Sequence, residues 1–421
     1  IAWEQLFCKY DILKQIDAAG QFAISATQIK EFREPRLMAK FDHTINLPEI
    51  FAANQLAILP TTRGDYIISH FDAYHKFESA STDIQRVTLP PYLQSFDSAI
   101  IPSEAIALNC AVAAGIIADF LEDDQLVATV SGRMGSGAFG FSIDNVKSNV
   151  PCHIEVKNSQ IEIDAAYEGI KSLALLEAKR DLAEDFLVRQ LYYPFRVWQS
   201  RVSKVVRPIF LVYSNGIYRL YEYQFQELNH YGSIMLVQQK NYSVEDTTIT
   251  IADIQSVLQT VALVPETEVP FPQADSFERV INICELVNEQ PLGRTEVTDQ
   301  YAFNARQTNY YTDAARYLGL LVKDSENRTP SYRLSERGKR IISLNFKQRQ
   351  LAYCNCILSH KVFQMVFRQY FASGTMPHTN EIVHIMQRSN LYHVESNSTF
   401  ERRSSTIKGW LNWILGLINA E

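Results

Sequence analysis

The chain has 421 residues, of which 46% are hydrophobic and 21% charged, with 16 Gly and 15 Pro. This is the composition of an ordinary folded protein, so collagen, coiled coil and global disorder are excluded, and the length divides into about three domains. The net charge of −7 argues on its own against a polyanionic partner, but residues 1–276 carry 22 Lys and Arg against 34 Asp and Glu, whereas residues 277–421 carry 18 against 13. An acidic front precedes a basic C-terminal third.

Cys8, Cys110, Cys152, Cys284, Cys354 and Cys356 are scattered, with no C-x-x-C pair or Cys/His cluster, which argues against a zinc module and a disulfide framework. The longest apolar run, residues 105–118, contains Asn109 and is too short for a bilayer, so a buried helix is expected there and no membrane association. No signal peptide is recognised, and the cytoplasm is the expected compartment.

Residues 1–95 mix short helical and strand-like stretches and carry no legible chemistry; DNA recognition is their candidate role. Leu89-Pro90-Pro91 breaks the chain. Ser103 and Glu104 then open a helix expected to run to Glu122. From Gln125 the period becomes that of strands: 126–130, the glycine-rich 132–140, expected as a hairpin tip carrying Arg133, then 138–143, 153–156, 160–165 and 172–179. A helix over 182–203, kinked at Pro194, leads to a hairpin turning at Asn215-Gly216. The middle region, 96–263, therefore reads as α/β with a mixed sheet.

Pro265, Pro270 and Pro272 mark a linker. Beyond it three short helices (277–288, 295–301, 307–318) lead into a strand pair around Asn327-Arg328-Thr329-Pro330. After Leu351 a long helix to Phe371 and helices over 379–388 and 399–418 are expected.

The most informative stretch runs from Asp164 to Leu175-Leu176-Glu177-Ala178-Lys179. Side chains alternate along a strand, so Glu177 and Lys179 share one face and Leu176 and Ala178 the other. Asp164 ends the preceding strand, close enough in sequence for a turn to bring it alongside. Two carboxylates on one surface repel, which a divalent cation relieves, and few oxygen ligands with room for water and phosphate suit Mg2+. A lysine beside them can position or deprotonate a water, or stabilise charge on phosphate oxygens. Glu104 is a candidate upstream carboxylate.

This arrangement resembles the PD-(D/E)XK nuclease superfamily over residues 100–225, with Ile163 standing where the proline of the family name would be. The resemblance implies a nuclease core, with Asp164 and Glu177 as metal ligands and Lys179 as catalytic base or charge stabiliser. Gln190-Leu191-Tyr192-Tyr193 resembles the Q-x-x-Y motif of some members and makes Gln190 a further site residue. Residues 277–345 resemble a winged helix, which implies DNA contacts from Arg306, Gln307, Thr308, Asn309 and Tyr310 on the third helix and from Lys323, Arg328 and Arg333 on the wing. Residues 346–421 look like a second helix-turn-helix unit, with Arg402, Arg403 and Lys408 as phosphate-binding types and Trp410 and Trp413 in its core.

The whole resembles a type II restriction endonuclease, with modification dependence left open: a Mg2+-dependent enzyme that hydrolyses double-stranded DNA to leave 5′-phosphates, expected as a homodimer so that both strands are cut. Two alternatives remain at this point. One is a non-catalytic winged-helix regulator whose sheet is a dimerisation or ligand module, the reading that remains if Asp164, Glu177 and Lys179 do not converge. The other is a structure-specific repair nuclease.

Overall fold

The computed structural model describes residues 2–96, 101–324 and 330–418. The molecule is mixed α/β in the front two-thirds and mainly helical beyond. Its centre is a seven-stranded mixed sheet in the order Ile84–Arg86, Ile234–Ser243, Ile217–Phe225, Val205–Ser214, Ser172–Lys179, Gln160–Glu168 and Val127–Gly135. Ser172–Lys179 runs parallel to Val205–Ser214, with Arg189–Gln199 as the crossover helix, and antiparallel to Gln160–Glu168. Strands buried on both faces read as continuous apolar runs, and Ser172–Lys179 is such a strand: Leu173 and Leu175 enter the core beneath the crossover helix, while Ala174, Leu176 and Ala178 enter the core beneath helices Glu104–Ala113 and Ile116–Leu121.

Asn215 and Gly216 have φ of 53° and 79°, the two positive values that a tight two-residue hairpin requires and that Asn-Gly supplies at little cost. The tip of that hairpin does not meet solvent. Ser214 Oγ and Asn215 N donate to Glu285 at 2.6 and 2.7 Å, and Asn215 Nδ2 donates to Gln350 Oε1 at 3.0 Å, so the turn is docked into the C-terminal helices.

The N-terminal unit has its own core, from Trp3 to Ile68, around a three-stranded sheet of Phe22–Ser25, Asp65–Ser69 and Ala57–Pro60. Residues 70–95, grouped with it by sequence, instead serve the centre: Tyr74–Lys76 pairs with Asp185–Leu187, and Ile84–Arg86 extends the main sheet. The helix expected over 104–122 is two helices, broken where Gly115 adopts a φ of 75°. The glycine-rich 132–140 segment is not a hairpin tip. Val127–Gly135 pairs with Gln160–Glu168, and Ala138–Asn145 leaves to pair with Ser148–Lys157 in a separate two-stranded sheet.

In the C-terminal region, helices Phe277–Glu289, Arg294–Gln300 and Ala305–Tyr317 carry a small sheet of Leu292–Gly293, Ser331–Leu334 and Leu321–Asp324. Helices Phe346–Leu358, Lys361–Ser373, Thr379–Gln387 and Asn397–Gly416 follow, and one apolar core joins both parts through Phe277, Tyr353, Phe363 and Trp410. The long helix expected after Leu351 is interrupted at Ser359-His360, where His360 is extended and caps the next helix. Among the described residues no helix is long and apolar enough to cross a membrane.

Candidate active site

Pairing between Gln160–Glu168 and Ser172–Lys179 is registered from Leu173 opposite Glu168 to Leu176 opposite Ala165. One step further the strands part, and the Asp164 carboxylate takes up the freed position by accepting a hydrogen bond from Ala178 N at 2.8 Å. Glu177 and Lys179 continue the row of Leu173 and Leu175 on the face of the crossover helix. The alternation that makes that face apolar thus ends in an acid and a base. Lys179 Nζ donates to Glu177 Oε1 at 2.6 Å, and Gln190 Nε2, from the first turn of the helix, donates to the same oxygen at 2.7 Å. The amide oxygen of Gln190 is buried with no donor among the described residues. Pro194 lacks the N–H that would have bonded the carbonyl of Gln190 four residues earlier.

Burial raises the Glu177 carboxyl to about 7; Lys179 opposes the rise and Asp164 adds to it. Burial works against the charge of Lys179, but Glu177, Asp42, Glu104 and Asp164 together outweigh it and hold the ammonium well above its usual range. Lys179 is thus a fixed cation. Glu104, at the start of its helix, lines the same cleft and is raised by burial, with Lys179 opposing and Asp164 assisting.

The cleft, about 570 Å³, lies between the central sheet and the N-terminal unit. Its far wall brings a residue that the strand pattern could not reveal. Burial favours the neutral form of Asp42, yet Lys179, Lys40 and Arg189 hold the carboxyl below its ordinary range. Asp42 arrives through tertiary docking, with its carbonyl accepting from Leu187 N at 2.8 Å, and no local motif announces it.

The segment after Lys179 is held from two sides. Asn282, fully buried on helix Phe277–Glu289, donates to Arg180 O at 2.7 Å and accepts from Leu182 N at 3.1 Å. Asp181 Oδ2 accepts from Ala302 N at 2.9 Å and lies 3.6 Å from His43 Nε2 of the N-terminal unit.

The expected DNA-contacting residues fare unevenly. Arg133 lies on the edge strand Val127–Gly135 and pairs with Glu162 at 3.1 Å while lining the cleft. Arg306, Lys323, Arg333 and Arg402 are exposed, although Arg306 Nε donates to Tyr310 Oη at 2.7 Å. Gln307 and Asn309 are half-buried. Thr308 is fully buried against Thr298, with their hydroxyls 3.0 Å apart, so it is a packing contact and cannot read a base. Arg403 donates to His393 O and Lys408 to Thr379 Oγ1 (3.1 and 2.8 Å), so both cross-brace the last helix. Arg328 lies outside the described residues. Tyr193, three residues beyond Gln190, is buried, and its hydroxyl donates to Pro60 O at 3.0 Å.

Among the described residues no group of three or more His, Cys, Asp or Glu is placed to hold a metal ion. Mg2+, however, takes one or two carboxylates and completes its shell with water and substrate phosphate. Asp164 and Glu177 line one cleft, and burial, assisted by Asp164, holds the carboxyl of Glu177 up against the opposing charge of Lys179, a penalty that a bound cation relieves. That donor set fits a hard divalent cation.

The fold and site define a three-part molecule: a small α+β unit, a mixed-sheet α/β unit bearing a carboxylate–lysine cluster, and a helical unit. Family models follow the same division, each described as a domain of unknown function: DUF6996 matches residues 1–68, DUF6997 residues 69–243 and DUF7226 residues 279–419. No curated protein and no solved structure matches the chain.

Proposed function

We propose that the protein is a Mg2+-dependent DNA endonuclease with a PD-(D/E)XK-type core and a winged-helix-like C-terminal unit, of the restriction-enzyme type. The observation that carries the reading is the convergence of Asp164, Glu177, Lys179 and Gln190 at the point where two strands part. A buried acid–base cluster opening onto a cleft favours a catalytic role over a purely regulatory one, since perturbed ionisable groups gather at functional sites.

In the proposed reaction water attacks phosphorus in line, the bond to the 3′ oxygen breaks, and a 5′-phosphate and a 3′-hydroxyl result. Mg2+ held by Asp164 and Glu177 would supply Lewis-acid polarisation of the phosphate and a more acidic bound water. The protein's own groups do the remaining work. Lys179, held protonated by the surrounding carboxylates, donates to the non-bridging oxygens as charge builds there and orients the attacking water. Gln190 fixes the Glu177 carboxylate by donating to its Oε1. Cutting both strands requires two such sites, which a homodimer supplies.

Replacing the ammonium by an apolar chain of similar length is the direct test. Lys179→Met should cut DNA at least about 100-fold more slowly than the wild type, the scale of a lost proton-transfer or charge-stabilising group, while binding the same DNA with unchanged affinity. Cleavage at the wild-type rate would remove Lys179 from the mechanism and the proposal with it.

A further inference from the structure

The N-terminal unit faces the acidic floor of the cleft with cations. Arg36 on the short helix Pro35–Met38, Lys40 just beyond it, and Arg63 in the turn before strand Asp65–Ser69 all line the cleft and are exposed. Arg189 joins them from the first turn of the crossover helix. Lys40 lies 3.6 Å from Asp42. Arg36, Arg63 and Arg189 make no ion pair among the described residues, and Nε of Arg189 is buried without an acceptor.

The backbone beside Arg63 and beside Lys40 is held in place. Beside Arg63, Lys157 N donates to Thr61 O at 2.7 Å and Tyr193 Oη to Pro60 O at 3.0 Å. Beside Lys40, Tyr74 Oη donates to Phe41 O at 2.9 Å and Leu187 N to Asp42 O at 2.8 Å. The backbone of the wall is therefore docked at two points, on strand Ser148–Lys157 and the crossover helix at one and on the Tyr74–Lys76 and Asp185–Leu187 pair at the other. Planar guanidiniums with open donors match phosphate oxygens in geometry and charge, and their spread along a cleft suits a chain of phosphates better than a single anion.

We infer that the N-terminal unit is a backbone clamp: Arg36, Lys40 and Arg63, with Arg189 opposite, bind the phosphates flanking the scissile one, so that one DNA strand passes between this unit and the sheet. The contact is to phosphate and is therefore indifferent to sequence. The inference rests on the nuclease reading for the identity of the scissile phosphate, but binding can be measured without cleavage.

The test is fluorescence anisotropy of the full-length protein with a labelled DNA oligonucleotide, single-stranded in one arm and duplex in the other, with Ca2+ in place of Mg2+ and KCl varied. The double variant Arg36→Gln/Arg63→Gln should bind at least tenfold more weakly. Its slope of log affinity against log salt should fall by about 1–2, since each phosphate contact contributes about 0.7–0.9. Arg36→Lys/Arg63→Lys, which keeps the charge, should recover most of the loss. Loss in either arm supports the clamp and identifies the form of strand that enters. Unchanged affinity and slope in both arms would overturn it, as would wild-type protein that binds neither oligonucleotide. If the wild type cuts no DNA but the double variant has lost binding, the clamp stands and the nuclease reading falls. If the double variant cuts and binds like the wild type, the nuclease stands and the clamp falls.

Discussion

Glu177 is the residue on which the site turns. It receives two hydrogen bonds on one oxygen, from Lys179 and Gln190, in a position where burial still raises its carboxyl to about 7. In the proposed mechanism Gln190 is a positioning residue, acting on the substrate through Glu177. Gln190→Leu removes a hydrogen bond to a charged group, worth about 1.5–3 kcal/mol, which corresponds to roughly 10–100-fold in rate. The cleavage rate should fall by that factor, the Mg2+ concentration for half-maximal rate should rise, and folding stability should fall by no more than the same about 1.5–3 kcal/mol. An unchanged rate and metal dependence would show that Gln190 does not orient Glu177. At this scale the strand's own residues were legible: a period of two places Glu177 with Lys179 and turns both away from Ala178, whatever the strand pairs with. Asp42, Arg36 and Arg63 were not. They reach the cleft through contacts such as Leu187 N to Asp42 O, and nothing local distinguishes them from other charged residues in a short helix or turn. Thr308 failed for the opposite reason: it sits at the right helix position, but the helix presents that position to its neighbour.

Among the elements, the turn at Asn215-Gly216 was legible because its backbone requirement is local and only a few residue types meet it. The glycine-rich 132–140 segment was misread because two adjacent strand patterns do not reveal their partners, and here each pairs elsewhere. The break at Ser359-His360 was invisible because neither residue is a helix breaker by type; tertiary packing of His360 against Tyr317, with ring centroids 4.1 Å apart, holds it there. Helix Phe277–Glu289 grips the backbone just after Lys179 through Asn282. Asn282→Ala leaves Arg180 O and Leu182 N without that buried partner and should cost about 1–3 kcal/mol in chemical denaturation. It should also slow cleavage while leaving oligonucleotide affinity intact, because the helix that faces DNA in the winged-helix reading is a different one. Wild-type stability and cleavage in this variant would mean that the helical unit does not support the catalytic strand.

Over the whole molecule, the charge asymmetry acquires a structural meaning. Carboxylates from three regions of the acidic front, Asp42, Glu104 and the Asp164–Glu177 pair, meet in one cleft, whereas the basic last third holds the exposed Arg306, Lys323, Arg333 and Arg402. A net charge of −7 therefore says little about whether DNA is a partner, because an acidic cleft and basic surfaces elsewhere cancel in the sum. The three units are interlocked: Asn282 and Ala302 from one side and His43 from another converge on the residues that follow Lys179. The most direct measurement is digestion of supercoiled plasmid DNA, prepared with and without base methylation, by the purified full-length protein in Mg2+ and in EDTA. Linear fragments ending in 5′-phosphates should form in Mg2+ on at least one of the two preparations and on neither in EDTA; plasmid left intact under every condition would contradict the endonuclease reading.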